Sequence, residues 1–246
     1  MPAQPLPSFA VVVPAYNEER GIEECVAAIG RALAELPNET GLIVVDDGSV
    51  DATAEILDRL EGLTLVRHEV NRGYGAALRT GAGRAAELGF EYVLFMDSDL
   101  TNDPRYLRDF AAQMRDGVDV IKATRYSGGG GTSGVPLWRV VPSRAGNFVA
   151  RALSGLPLHD QTNGFRAVRT ALLMELALKE NGFAVIMEEL YEVAPRAAGF
   201  AEVPVVLTNR AGHLRPTAFD YRPAALWRYL RYPLLAFRRR LAPKSG

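Results

Sequence analysis

Short continuous apolar runs alternate with helix-period patterns through the first half of the chain. Residues 9–13 (Phe-Ala-Val-Val-Val) read as a buried strand ending at Pro14. From residues 18 to 36 the apolar positions Ile22, Val26, Ile29 and Leu33 recur at helical spacing. Residues 42–45 form a second apolar run. Ser49 or Asp51 is placed to cap a helix carrying Ile56, Leu57 and Leu60. Residues 63–66 predict a third strand, and residues 73–88 a helix that tolerates Gly81 and Gly83 at some cost. Residues 92–96 and 118–123 predict strands four and five. Strands alternating with helices imply parallel pairing, with helices on both faces of one sheet.

The second half is less regular. Residues 128–134 are Gly-rich and read as a loop. Helices are expected over 143–153 and 184–198, and strands over 165–168 and 203–207. Residues 223–241 predict a helix interrupted by Pro233. Leu226, Leu230, Leu234, Phe237 and Leu241 would form one stripe on it.

Composition narrows the partners. At 246 residues, the chain fits one α/β domain with a C-terminal appendage. A net charge of −1 supplies no global field for nucleic acid. The charge is uneven, however. No acid follows Asp220, whereas Arg222, Arg228, Arg231, Arg238, Arg239, Arg240 and Lys244 do. This basic tail, with Trp227, Tyr229 and Tyr232, suits an anionic membrane surface, or else packs its stripe on the domain. The single cysteine, Cys25, permits no disulfide framework and lies on an apolar helical pattern, so it reads as a small buried hydrophobe. A reducing compartment follows as the expectation. The first residues lack the basic and apolar regions of a signal peptide, and no apolar run approaches the roughly 18 residues of a spanning helix. A cytoplasmic protein, peripheral on the inner membrane face if membrane-bound at all, is expected.

The candidate chemistry sits at strand ends, where open α/β sheets bind ligands. Residues 92–96 lead into Asp97-Ser98-Asp99. Carboxylates at i and i+2 of an extended segment point to the same side. Such a pair suits Mg²⁺ or Mn²⁺ bridging a diphosphate, or two solvated acids capping the next helix. Asp46-Asp47-Gly48-Ser49 is a second acidic strand end, suited to a ribose or base, or to turn chemistry. Asn71-Arg72-Gly73-Tyr74-Gly75 opens a helix and could face an anion.

In this order and spacing, the chain resembles family 2 glycosyltransferases of the GT-A fold. The matching pieces are Val13-Pro14-Ala15-Tyr16-Asn17-Glu18, Val45-Asp46-Asp47-Gly48-Ser49-x-Asp51, Asn71-x-Gly73-x-Gly75-x-Ala77 and Asp97-x-Asp99. The resemblance spans roughly residues 9–210. It implies a Rossmann-like mixed sheet with helices on both faces, and inverting transfer from a nucleoside-diphosphate sugar. The implied layout is a catalytic unit over 1–220, with a nucleotide half at about 9–123 and an acceptor half at about 124–220. A basic tail follows over 221–246.

Within the family, the second half is similar to polyprenyl-phosphate sugar transferases such as the dolichyl-phosphate mannose synthases. The pieces are Ala123-Thr124-Arg125-Tyr126, Trp138-Arg139-x-x-x-Ser143, Asp160-x-Thr162-x-Gly164-Phe165-Arg166, Gly182-Phe183, Met187-Glu188 and Asn209-Arg210-x-Gly212. That resemblance implies GDP-mannose or UDP-glucose as donor and a polyprenyl phosphate as acceptor. Pro14, Ala15, Tyr16, Asn17, Glu18, Asp46, Asp47, Asn71, Gly75, Ser98 and Arg210 would bind the donor. Asp97 and Asp99 would hold Mg²⁺ or Mn²⁺. Arg125, Arg139 and Ser143 would grip the acceptor phosphate, for which guanidinium forks and hydroxyls are suited.

An anionic acceptor needs no strong base. A hydroxyl or amine acceptor (a small metabolite, peptide or sugar) does, and Asp160 and Glu188 are then the candidates, unless they are structural partners of buried arginines. The chain departs from close relatives at Thr101, where they usually carry Gln, and at Gly212-His213-Leu214-Arg215, where they often show Gly-Glu-Ser-Lys. A catalytically silent nucleotide-sugar-binding protein is the alternative from another class. The intact Asp97/Asp99 pair and Arg125 speak against it.

Overall fold

The computed structural model describes residues 6–209 and 223–241. Four parallel strands build one half of the sheet: β1 (Phe9–Ala15), β2 (Thr40–Asp46), β3 (Thr64–Arg67) and β4 (Tyr92–Phe95). The other half holds β5 (Val120–Thr124), β7 (Arg166–Arg169) and β8 (Phe200–Pro204). The order across the sheet is β3-β2-β1-β4-β7-β5-β8. A small parallel pair, β6 (Gly131–Ser133) with β9 (Val206–Thr208), lies apart from it.

Alternation along β1 explains the two-sided core. Phe9, Val11, Val13 and Ala15 face one layer, built with α1 (Ile22–Ala34), α2 (Thr53–Asp58) and α4 (Leu107–Gln113). Ala10 and Val12 face the other, with α3 (Tyr74–Glu87), α6 (Thr170–Met174) and α7 (Val185–Val193). Strands covered on both faces read as unbroken apolar runs, which is why β1, β2 and β4 are visible in sequence. Cys25 is fully buried as a small hydrophobe of α1.

β7 runs antiparallel between β4 and β5, with Arg166 opposite both Phe95 and Lys122. Its start therefore lies at the carboxyl end of β4. That reversal carries the 160–165 segment to the acids that follow β4.

Several expectations change. β1 extends through Pro14 to Ala15. Neither Ser49 nor Asp51 caps α2, whose N-cap is Ala52 without a side-chain bond. Instead Ser49 Oγ accepts from the Asn17 N–H at 3.0 Å, and Asp51 accepts from the N–H groups of Glu19 and Thr53. These side chains fasten the loop after β1. The Gly-rich stretch contains β6. Residues 203–207 divide at buried Val205, whose N–H donates to the Thr124 carbonyl at 3.0 Å, so β8 and β9 enter different sheets. α5 (Leu137–Ser154) starts six residues before the expected helix and contains Pro142. α8 (Pro223–Leu241) runs through Pro233.

α8 packs on α5 and α7. The face it buries is Tyr232, Pro233 and, partly, Tyr229 and Ala236. The expected stripe mostly faces outward: Leu230, Phe237 and Leu241 are exposed, and Leu234 is half-buried. The side chain of Leu226 lies outside the described residues.

Candidate functional site

The carboxyl ends of β1, β2 and β4 open on a cavity of about 1260 Å³. Pockets for one small molecule run to roughly 300–1000 Å³, so this one has room for two ligands. Pro14, Ala15, Tyr16, Glu18, Asp47, Asn71, Asp97, Ser98, Asp99, Arg125, Arg139 and Ser143 all line it. Asn17, Asp46, Gly75, Asp160 and Glu188 do not. Arg210 and His213 lie outside the described residues.

Asp46 and Asp47 point to different surroundings, as consecutive strand residues must. Asp46 turns inward: Oδ1 accepts from the Ser49 N–H at 3.0 Å and Oδ2 from Arg67 Nε at 3.2 Å. Its expected donor contact is thus replaced by a structural one. Asp47 reaches the cavity but also organises it. Oδ1 meets His68 Nδ1 at 2.6 Å and the Arg72 N–H at 2.9 Å, and Oδ2 accepts from the Gly73 N–H at 2.8 Å. The loop bearing Asn71 is held by this carboxylate. Asn17 is occupied with Val50, whose N–H donates to its Oδ1 at 2.9 Å. Gly75 serves packing: a Cβ there would stand 2.1 Å from the Glu180 carbonyl oxygen.

Asp97 and Asp99 follow β4 directly. Tyr74 donates its phenol to Asp97 Oδ1 at 2.8 Å. Burial and the neighbouring Asp97 raise the Tyr74 phenol well above its ordinary value, so it stays a donor. Thr101, standing where Gln was expected, donates through Oγ1 to Asp99 Oδ1 at 2.8 Å and through its N–H at 3.1 Å. Beside them, Asn102 is among the lining residues, and its buried Oδ1 has no hydrogen-bond partner among the described residues. Among the described residues, no group of three or more His, Cys, Asp or Glu side chains is arranged to hold a metal ion. The donor set is therefore two carboxylates on the wall of a wide cavity. It fits a hard cation that keeps waters and ligand phosphates, and would not enclose one alone.

Arg125 dominates the opposite wall. Buried Asp160 holds it at 2.6 Å (Nε) and 2.9 Å (Nη2), and Thr162 Oγ1 accepts from Nη2 at 3.1 Å. Tyr126 donates to Ser143 Oγ at 2.9 Å. Asn147 donates to Thr162 Oγ1 at 2.9 Å and accepts from the Gln161 N–H at 2.6 Å, which locks α5 to the 160–163 segment. Glu188 caps backbone rather than pairing with an arginine. It accepts from the N–H groups of Lys179 at 3.0 Å and Glu180 at 2.8 Å. Neither Asp160 nor Glu188 is placed to take a proton from a ligand in the cavity.

Beneath this wall lies a buried charge network. Arg166 forms a two-point pair with Glu189, at 2.5 and 2.6 Å, and stands over the Phe95 ring. Lys122 Nζ donates to the Asn163 carbonyl at 2.6 Å. Lys122, Asn147 and Glu189 were not singled out by sequence, and Tyr74 stood only within the motif that opens α3. Lys122 carried a signal, as a charge inside an apolar strand has to find partners.

A profile for glycosyl transferase family 2 matches residues 10–177. The chain is 27% identical over 215 residues to a polyprenol monophosphomannose synthase of Mycolicibacterium smegmatis, covering 84% of this chain and 80% of that protein. It is 30% identical over 209 residues to a dolichol-phosphate mannosyltransferase of Pyrococcus furiosus, covering 82% of this chain and 57% of that protein. Among solved structures it is similar to glucosyl-3-phosphoglycerate synthase from Mycobacterium tuberculosis with Mn²⁺, UDP-glucose and phosphoglyceric acid. The TM-score is 0.69 and the identity 26%, over 98% of this chain and 82% of that one. The same enzyme with Mg²⁺ and UDP matches at a TM-score of 0.68 and 26% identity, with 98% and 82% coverage.

Proposed function

The chain belongs to glycosyl transferase family 2, and from that premise we propose that it moves a hexose from a nucleoside-diphosphate sugar to a polyprenyl phosphate. The observation that carries this reading is the asymmetry of the cavity. Acids line its nucleotide side, at Glu18, Asp47, Asp97 and Asp99. The lining residues that follow β5 or lie on α5 include Arg125, Arg139 and Ser143 but no carboxylate among the described residues. Such a wall suits an acceptor that arrives as an anion and needs no base. The names of the two mannosyl-transferring relatives support the lipid class.

On this reading residues 9–123 receive the donor, residues 124–220 the acceptor, and residues 221–246 form the tail. Pro14, Ala15, Tyr16, Glu18, Asn71 and Asp47 would line the nucleoside pocket, with Asn17 fastening its loop, and Arg210 would meet the diphosphate. Asp97 and Asp99 would hold Mg²⁺ or Mn²⁺, which would neutralise charge on the departing diphosphate. Arg125, Arg139 and Ser143 orient the acceptor phosphate. Its anionic oxygen bonds to the anomeric carbon from the face opposite the diphosphate. The sugar–diphosphate C–O bond breaks, its electron pair leaves on the nucleoside diphosphate, and the anomeric configuration inverts.

The lipid acceptor is further supported by what surrounds the cavity. Trp138 of α5 and Leu230 and Pro233 of α8 line it, and both helices carry exposed apolar side chains outside it. No helix of the described residues is long and apolar enough to cross a membrane. On this reading the exposed apolar side chains of α5 and α8 would meet the membrane surface that holds the acceptor. A second reading rests on the structural relative that binds phosphoglyceric acid: a small soluble phosphate could occupy the same wall.

The test is nucleoside-diphosphate release from UDP-glucose and GDP-mannose. It is run with polyprenyl phosphate or with phosphoglyceric acid, each with Mn²⁺ or excess chelator. Lipid-stimulated, metal-dependent release is expected, and Asp99→Asn should abolish most of it without unfolding the protein. Stimulation by phosphoglyceric acid alone would transfer the assignment to the soluble acceptor. Full turnover in chelator would remove the metal from it.

A further inference from the structure

Asp97 lies between the Tyr74 phenol and the backbone of Gly164. Tyr74, the first residue of α3, donates to Asp97 Oδ1 at 2.8 Å. Its ring is stacked on Phe183, with centroids 4.5 Å apart. Phe183 is anchored in turn, because its carbonyl accepts from the Tyr229 hydroxyl of α8 at 2.9 Å. On the other side stands Gly164. A Cβ there would lie 3.4 Å from Asp97 Oδ2 and 3.3 Å from the Tyr74 hydroxyl. The phenol thus holds one carboxylate oxygen, and the Gly164 backbone lies close to both groups.

A carboxylate that ligates a metal is normally oriented by a hydrogen bond from a neighbour, and loss of that neighbour weakens binding by about 10–100-fold. Tyr74 makes such a bond from a ring that packing has already immobilised. We propose that Tyr74 is a positioning residue, which fixes the plane of the Asp97 carboxylate for the divalent cation, and that Gly164, where a Cβ would press on the Tyr74 hydroxyl at 3.3 Å, keeps that hydroxyl in place. The proposal rests on the reading that Asp97 and Asp99 hold the cation.

Free Mn²⁺ is titrated by electron paramagnetic resonance against wild type, Tyr74→Phe, Gly164→Ala, Asp97→Asn and Asp99→Asn, each with UDP present. Tyr74→Phe keeps the ring and loses only the hydroxyl. It should bind Mn²⁺ about 10–100-fold more weakly, with unchanged thermal midpoint and unchanged metal-free UDP affinity. Gly164→Ala should weaken Mn²⁺ in the same direction, and it carries the test if Tyr74→Phe does not fold. Wild-type Mn²⁺ affinity in the folded Tyr74 or Gly164 variants, with binding lost in both Asp variants, overturns the positioning role and leaves the metal site standing. Retained binding in both Asp variants overturns the metal site itself, and the positioning role with it.

Discussion

Asp160 grips Arg125 with both carboxylate oxygens, at 2.6 Å to Nε and 2.9 Å to Nη2, from a position with no solvent exposure. Burial pushes its pKa up. The Arg125 charge and hydrogen bonds, helped by Lys122, outweigh that and hold the carboxyl below the usual aspartate range. Asp160→Asn leaves a guanidinium without its counter-charge, which should cost about 3–5 kcal/mol in urea unfolding. The sign with pH follows from the depressed folded value. The stabilisation is present above the unfolded pKa of about 3.9 and is lost as pH falls through the folded one. The Asn variant should lack that part of the acid loss. Equal acid sensitivity in both proteins would reject the pairing as a source of stability.

Lys122 gives a pH dependence on the alkaline side. Burial, with repulsion from Arg166, lowers its pKa from 10.5 to about 7, against partial support from Asp160 and Glu189. Between those values the unfolded chain holds more protons than the folded one. Stability should therefore rise with pH across that window, with a slope of up to about 1.4 kcal/mol per pH unit from this group. Lys122→Met should flatten the slope. Denaturation midpoints at pH 7 to 10 decide it, and parallel curves for the two proteins would contradict the assignment.

Asp47 should matter to the nucleoside half of the donor, and through more than direct contact. It fastens the N–H groups of Arg72 and Gly73 and the ring of His68, and so shapes the loop that presents Asn71. Asp47→Ala should weaken metal-free nucleoside-diphosphate binding by about 1.5–3 kcal/mol, as expected for charge-assisted bonds. Calorimetry on the folded variant checks this, and unchanged affinity would move the nucleoside elsewhere.

Arg139 and Ser143 lie one turn apart on α5 and face the cavity together. Arg139→Ala should raise the acceptor KM by about 10–100-fold, the worth of a charge-assisted bond, and leave slow donor hydrolysis intact. Ser143→Ala should act more mildly, through the Tyr126 hydroxyl that it supports. Steady-state kinetics with separate acceptor and donor series measure both. Equal loss for donor would place Arg139 on the other substrate.

The legible parts of the molecule are those where one physical signal dominates. β1, β2 and β4 are covered on both faces, so their sequences are apolar without a break. The acids that follow β2 and β4 stand out against them. Direction is not written in such runs, and nothing in residues 165–168 announces that β7 runs antiparallel. Asp46 and Asp47 are adjacent acids at a strand end, yet the pleat sends only one to the cavity. Which one depends on register with β1, where Ala15 faces Asp46. α8 holds two overlapping stripes at helical spacing. The leucine stripe looks the more hydrophobic, but the tyrosine stripe wins the domain contact. Tyr229 and Tyr232 bury their rings and still satisfy their hydroxyls, on the Phe183 carbonyl and on Glu180.

That choice of face bears on the membrane. With the tyrosines turned inward, α8 exposes Trp227, Leu230, Phe237 and Leu241. The adjoining α5 exposes Leu137, Trp138, Val141 and Phe148 at helical spacing. Apolar side chains exposed on two neighbouring helices that also line the cavity call for a covering partner. Arginines accompany them. Arg231 and Arg239 are paired with Glu180 and Glu192, whereas Arg228 and Arg238 have no partner among the described residues. An aromatic and apolar face fringed with arginine suits a headgroup layer, where each basic residue contributes on the order of 1 kcal/mol and salt weakens the attraction. The protein should therefore float with anionic vesicles at low salt and much less with neutral ones. Arg228→Glu with Arg238→Glu should reduce flotation by about the tenfold or more that two such residues supply. Trp138→Ser with Phe148→Ser should reduce it at every salt concentration, because an apolar contact is not screened. These four side chains are exposed, and an unchanged thermal midpoint checks that the variants remain folded. Folded wild-type protein that stays off anionic vesicles at low salt would remove the membrane from the account, and phosphoglyceric acid or another soluble phosphate would become the better acceptor.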